Sequence, residues 1–163
     1  MEVMSFYGVM CEELGKKEFL HDGNKGGFPS ADMVLDAIEL QGLYVGVENG
    51  KIIAAYILNH DAAPAYGTVT WQIDAPKEQV SVLHALRVSP EYSGRGYAKE
   101  LVKHSIEVAR NKAQKAIRLD CLDENIVPQN MYLALGFQYV DTVEIFYEDI
   151  GEPRAFRLFE LLI

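Results

Sequence analysis

Gly94 and Gly96 stand two residues apart within LRVSPEYSGRGYAKELVKHSIEVARNKAQKAIRLDC, residues 86–121. The stretch passes from a strand pattern through the two glycines into a long amphipathic helix pattern, and then into a strand pattern again. Glycine in a helix costs up to ~1 kcal/mol relative to alanine, so a pair at a helix entrance asks for a compensating gain. One such gain is chemical. A helix N-terminus carries unpaired N–H groups and a partial positive charge, and residues without Cβ let a phosphate reach that backbone. A plain turn feeding a helix is the other reading. The spacing is not that of a Walker A loop, since no Gly-Lys-Ser/Thr follows. It is not the dinucleotide fingerprint either, since GRGYAK lacks the third glycine.

Just upstream, His84 lies two residues before Leu86 in a strand pattern, which predicts that both side chains share a face. An imidazole with a pKa near ~6.5 suits proton abstraction at neutral pH, and a structural histidine fits the position equally. Asp74, Glu78 and a water chain are competing bases. Phe28, Tyr66 and Trp71 are candidate pocket aromatics that a plain core would also use. Cys11 and Cys121 make neither a disulfide framework nor a zinc site. Cys121 sits in an apolar strand pattern and reads as a buried free thiol.

The elements that must position these residues follow from periodicity. Apolar Met4, Tyr7, Val9, Met10 and Leu14 predict a helix over Val3–Leu14, followed by a turn-rich loop, HDGNKGGFP. Ser30 is a good N-cap for a helix over Ala31–Gln41, which Gly42 would end. LYVGVE and KIIAAYILN, joined by Asn49-Gly50, predict a hairpin. Residues 61–79 read as irregular with a short strand at Val69–Ile73. SVLHALRV is apolar on both faces, as a central strand is. The next helix, Gly94 to about Lys112, keeps Ala98, Leu101, Val102, Ser105, Ile106 and Ala109 on one face. AIRLDCL then forms a right-handed parallel crossover with the preceding strand. A helix over Val127–Leu135, with Pro128 in its first turn and Gly136 at its end, precedes two strands, Phe137–Glu148 and Ala155–Leu162, joined at DIGEP. The class is α+β, with a mixed sheet covered by helices.

The chain has 163 residues and a hydrophobic fraction of 49%, which predicts a single domain spanning 1–163. The net charge is −9, and no basic face of the kind that nucleic-acid binders carry is evident. The basic run RNKAQKAIR reads as a solvated helix end. An acidic surface weakly favours cationic small molecules. No apolar run approaches the ~20 residues of a membrane span, and no basic leader precedes an apolar stretch. A cytoplasmic protein without membrane or nucleic-acid partners is expected, and self-association as a homodimer is compatible with it.

LRVSPEYSGRGYAKELVKHSIEVA resembles the acyl-CoA-binding motif of the GNAT superfamily of N-acetyltransferases: a strand ending in a V-x-P-like turn, Gln/Arg-x-x-Gly-x-Gly/Ala, then a helix. NIVPQNMYLALGF resembles the family's second motif, with Asn125, Tyr132, Gly136 and Phe137 at the expected spacing. DGNKGGFPS…LYVGVENGKIIAAYIL looks like small bacterial members. Ser93 stands where Gln or Arg is usual, and Pro128 where a small residue is common. The family's opening strand is expected to be missing or shortened.

The resemblance implies a mostly antiparallel mixed sheet with helices on both faces and a splayed central parallel strand pair. It implies acetyl-CoA as cosubstrate, without a metal, and a primary amine of a small molecule or peptide as acceptor. Leu86, Arg87 and Val88 would meet the pantetheine arm, and an N–H there would stabilise the developing oxyanion. Ser93, Gly94, Arg95, Gly96, Tyr97 and Ala98 would hold the pyrophosphate, with Asn125 also at the cofactor. Tyr132 matches the family's general acid, and some members carry a histidine at the strand position of His84. Because a fold does not fix a function, a non-catalytic acyl-CoA-binding regulatory module on the same fold is the rival reading. A phosphate-binding α/β protein unrelated to CoA is a more distant one, and the second motif argues against it.

Overall fold

The computed structural model of the chain describes residues 2–14 and 28–163, so the turn-rich loop expected before Phe28 lies outside the described residues. Two helices, α1 (Glu2–Leu14) and α2 (Ala31–Glu39), precede the hairpin β1 (Leu43–Glu48) and β2 (Lys51–Asn59). Then come β3 (Val80–Val88), α3 (Tyr97–Asn111), β4 (Ala116–Leu122), α4 (Ile126–Ala134), β5 (Gln138–Phe146) and β6 (Pro153–Leu162). The six strands form one sheet in the order β1-β2-β3-β4-β6-β5. Among the described residues the β3–β4 pair alone is parallel.

Local chemistry explains most boundaries. Asn49 and Gly50 both take positive φ, +51° and +76°, as the type I′ turn of a two-residue hairpin requires. The Ser30 side chain accepts a hydrogen bond from the Met33 N–H and caps α2. Strand β2 shows how the sheet divides two cores. Tyr56 and Leu58 face α3 and α4, packing with Val102, Ile106, Ala109 and Tyr132. Ala55 and Ile57 face the other way, packing with Val3, Tyr7 and Met10 of α1 and with Val34 and Ala37 of α2. Helices therefore cover both faces, as period-2 alternation on a fully buried strand demands.

Four expectations need correction. Helix α3 begins at Tyr97, not Gly94; Gly94 and Gly96 lie before it at φ +75° and +83°. They are in the left-handed region, where glycine avoids the Cβ penalty, so they cost the helix nothing. No strand forms at Val69–Ile73; residues 64–68 make a 3-10 turn instead. The backbone there is satisfied by side chains: the Gln72 N–H donates to Glu160 Oε1 (2.8 Å) and the Arg118 Nη2 donates to the Ile73 carbonyl (2.8 Å). The guanidinium of Arg118 also lies 4.2 Å from the centre of the Trp71 ring, and its Nε pairs with the buried Glu160 at 2.7 Å.

The third correction concerns His84 and Leu86. Across the β2–β3 ladder, Ala55 pairs with Arg87 but Ile57 pairs with His84, so β3 carries one extra residue there. Ala85, at φ +52°, absorbs it as a β-bulge, and the Tyr7 hydroxyl donates to its carbonyl at 3.1 Å. The bulge resets the alternation. Leu83 and Leu86 both pack on the α3 side, whereas Ala85 packs with α1. His84 thus falls on the face opposite Leu86.

The fourth concerns the end of α2. Gln41, at φ +55°, makes the left-handed turn that Gly42 was expected to make. Gly42 is needed for a different reason: a Cβ there would lie 2.7 Å from the Leu58 carbonyl oxygen. Backbone cannot yield as a flexible side chain does, so Gly42→Ala should destabilise the fold by roughly 1–3 kcal/mol. Urea unfolding checks this, and equal midpoints for the two proteins would contradict it.

Candidate active site

The parallel ladder between β3 and β4 holds only three pairs, Val80–Ala116, Ser81–Ile117 and Val82–Arg118. Beyond them the strands part, and a cleft of about 350 Å³ opens between the end of β3, the end of β4 and the first turns of α3 and α4. On this side residues 83–88 of β3 have no ladder partner among the described residues. Gly96, the N-cap of α3, supplies no side-chain cap, so the first N–H groups of the helix are left without one. A Cβ on either Gly94 or Gly96 would meet no protein atom within 4 Å, so the loop lies open.

The cleft brings together many of the residues singled out from sequence: His84, Leu86, Arg87, Val88, Ala98, Asn125 and Tyr132 all line it. Ser93, Gly94, Arg95, Gly96 and Tyr97 do not line it; they form the loop and helix start at its mouth. Arg95 lies 5.0 Å from the centre of the Tyr92 ring, and the Tyr97 hydroxyl donates to Glu48. Phe28 lines the cleft, whereas Trp71 is engaged by Arg118 and donates to the Tyr66 carbonyl. Asp74 and Glu78 are not in the cleft wall.

Tyr132 is buried against Phe137 and Phe159, with ring centres 5.6 and 6.2 Å away. Burial pushes its phenol well above the ordinary 10.0, so it stays protonated. Among the described residues its hydroxyl has no hydrogen-bond partner. The Cys121 thiol is pushed up to about 12, chiefly by burial, which makes it inert as a nucleophile at neutral pH.

His84 Nε2 lies 2.8 Å from the Asp61 carbonyl and 2.9 Å from Asn59 Oδ1. A carbonyl only accepts, so Nε2 carries the proton and Nδ1 carries the lone pair. Burial pushes the imidazole below its ordinary 6.5, against the opposing pull of Asp120 and Asp61. Sequence reading missed Asp120, on the same face of the sheet. Its Oδ2 accepts from Tyr147 (2.7 Å) and Tyr66 (2.8 Å). Burial raises its pKa, and these two hydroxyls and His84 draw it back. The one sequence signal was a carboxylate amid the apolar AIRLDCL.

The cleft thus lies between parted parallel strands, with a glycine-led helix at its mouth. Residues 11–137 match the Acetyltransferase (GNAT) family, and the chain belongs to that family. It is similar to a thialysine N-epsilon-acetyltransferase of Bos taurus, at 33% identity over 56% of this chain and 54% of the relative; it thus spans about half that relative's length. Its fold is similar to that of an N-acetyltransferase from Staphylococcus aureus Mu50, with TM-score 0.72 and 12% identity over 99% of this chain and 92% of that one. A GNAT family acetyltransferase from Elizabethkingia anophelis with acetyl-CoA bound also shares it, with TM-score 0.59 and 19% identity over 83% and 85% of the two chains. Among the described residues no helix is long and apolar enough to cross a membrane.

The histidine makes a pH prediction. The unfolded chain protonates it near its ordinary 6.5, while the folded chain resists until a lower pH. Stability therefore falls as pH drops from the unfolded value through the folded one. His84→Gln removes this contribution and should flatten the decline in melting temperature as pH falls below about 6.5. Parallel acid limbs would contradict it.

Proposed function

We propose that the protein is an acetyl-CoA-dependent N-acetyltransferase that passes the acetyl group to a primary amine of a small molecule or peptide by direct attack. The observation that carries this reading is the Tyr132 hydroxyl, protonated and without a partner among the described residues, in the wall of the cleft. A purely structural tyrosine at such burial ordinarily finds a partner. Membership of the family supports it, as do the acetyl-CoA bound in the Elizabethkingia structure and the N-acetyltransferase name of the bovine relative.

The residues present fit acetyl-CoA. The uncapped start of α3 behind Gly94 and Gly96 suits the pyrophosphate, with Ser93, Arg95, Tyr97 and Ala98 around it. The unpartnered edge at Leu86, Arg87 and Val88 suits the amides of an extended arm, which would satisfy backbone groups that need partners. Asn125, at the start of α4, borders the same space. Bound there, the cosubstrate would supply an activated thioester carbonyl.

Two proton transfers then fall to this chain. A primary ammonium with a pKa near ~10.4 must lose a proton before its nitrogen can attack. His84 is the base in this reading: neutral near pH 7, held through Nε2, and presenting Nδ1. Tyr132 donates to the departing sulfur. The two residues enter from opposite faces of the sheet, which suits an amine and a cosubstrate that meet through the gap from opposite sides. The rival reading, an acyl-CoA-binding module without catalysis, leaves His84 and Tyr132 with no task in the cleft.

Two measurements test the reading. Acetyl-CoA at about 100 times its Kd should stabilise the fold by about 2.7 kcal/mol, with ATP and NADH far less effective; an unmoved melting curve at millimolar acetyl-CoA overturns cosubstrate binding. Tyr132→Phe keeps the packing and removes the hydroxyl, so release of CoA in the presence of a panel of amines should fall roughly 100-fold, with Kd for CoA little changed. Equal turnover would remove Tyr132 from the chemistry, and no turnover of any amine by the unaltered protein would favour the binding module.

A further inference from the structure

On the face of the sheet away from α3, the cleft has a floor that the transfer chemistry above leaves unused. Asp120 projects from β4 to that side, since its neighbours Leu119 and Cys121 pack towards α3 and α4. Both tyrosine hydroxyls that reach it, from Tyr66 and from Tyr147, go to the same oxygen, Oδ2. Oδ1 takes no hydrogen bond from the described residues, although the side chain lines the cleft. A half-buried carboxylate held by two phenols on one oxygen, with the other oxygen unengaged, is an expensive arrangement unless something meets it.

The surroundings say what kind of group that is. Phe28, Tyr147, Ile150 and Phe156 make apolar walls around the carboxylate. The charged and titratable groups lining the cleft on this side are His84 and Arg87 from β3 and Asp149 from the β5–β6 connection. Burial raises the Asp149 carboxyl above its ordinary value, and the Arg87 guanidinium draws it back. His84 is neutral near pH 7, with its N–H already committed to the Asp61 carbonyl. Among the described residues no cation lining the cleft is hydrogen-bonded to Asp120, and an apolar-walled space with one carboxylate oxygen unengaged by them selects a small organic cation.

We infer that Asp120 Oδ1 is the anchor for the ammonium group of the acceptor, a primary alkyl- or arylalkylammonium, and that Tyr66 and Tyr147 aim the carboxylate by clamping Oδ2. This names the acceptor class for the acetyl-transfer reading and rests on it for its catalytic meaning, while the binding site itself stands on geometry. Asp120 is a specificity residue here. It holds the cation next to His84, so the proton that must leave is already beside the base.

Binding tests this without turnover. Titration calorimetry on the full chain, with and without CoA, compares n-butylammonium with its neutral counterpart n-butanol. The unaltered protein should prefer the cation by about tenfold or more, in line with a hydrogen bond to a charged partner. Asp120→Asn keeps the shape and an acceptor for both hydroxyls, and should bring that preference to within about threefold of unity. If Asp120→Asn does not fold, Tyr147→Phe, which keeps the charge and releases half of the clamp, should lower the preference by about threefold. A preference that survives whichever variant folds overturns the proposal, and so does an unaltered protein that binds the probes equally or not at all. Failure of acetyl-CoA to shift the melting curve beside an intact cation preference would sink the transfer reading and leave this site standing. A normal acetyl-CoA shift without a cation preference would do the reverse.

Discussion

Strands β3 and β4 lie side by side in a parallel ladder for three residue pairs and then separate. Hydrophobic layers on both faces, under α1 and α2 on one side and α3 and α4 on the other, hold the sheet together around that separation. A parallel pair in the middle of a sheet normally has every edge group paired, so parting leaves backbone N–H and C=O groups that need another partner. The bulge at Ala85 lies just past the last pair. It turns the β3 backbone, increases local twist, and is pinned by the Tyr7 hydroxyl from α1. On the other side β4 stays in register with β6 along its whole length. The gap therefore has one bulged wall and one wall in continuous register.

Because the gap passes between two strands, it opens on both faces of the sheet, and the two faces have different chemistry. Towards α3 and α4 it meets an uncapped helix start, Asn125 and a protonated tyrosine. Towards the other face it meets a carboxylate, a neutral histidine and aromatic rings. The bulge is what separates them: without the extra residue His84 and Leu86 would share a face. Burial also sets the protonation states. It pushes the Tyr132 phenol up and the His84 imidazole down, so near neutral pH one keeps a proton to give and the other keeps a lone pair to accept one. Active sites gather such shifted groups because desolvation, costly to stability, sets their pKa values.

Much of the frame was legible in the residues. Asn49-Gly50 marked the hairpin, the buried stripe Val102, Ser105, Ile106 and Ala109 marked the inner face of α3, and Gly136 marked the end of α4. Gly94 and Gly96 marked the approach to α3 for an incomplete reason, since their left-handed φ matters as much as their missing Cβ. The bulge was not legible, because alanine carries no preference for positive φ and nothing in VSVLHALRV signals an extra residue. Nor was the grip of Arg118 and Glu160 on residues 71–73, whose partners are more than forty residues apart in each case. Asp120 was passed over as one polar residue in an apolar strand. Its meaning comes from Tyr66 and Tyr147, which tertiary packing brings to it from segments on either side in the chain.

The central claim is that the parted edge of β3 and the start of α3 receive one extended cosubstrate. Backbone amide hydrogen exchange, followed by NMR with and without saturating acetyl-CoA, reads those groups directly. The account predicts that new protection concentrates at amides within residues 86–88 and 96–99, on the two sides of the cleft mouth. Protection that appears elsewhere while these amides exchange unchanged would contradict it.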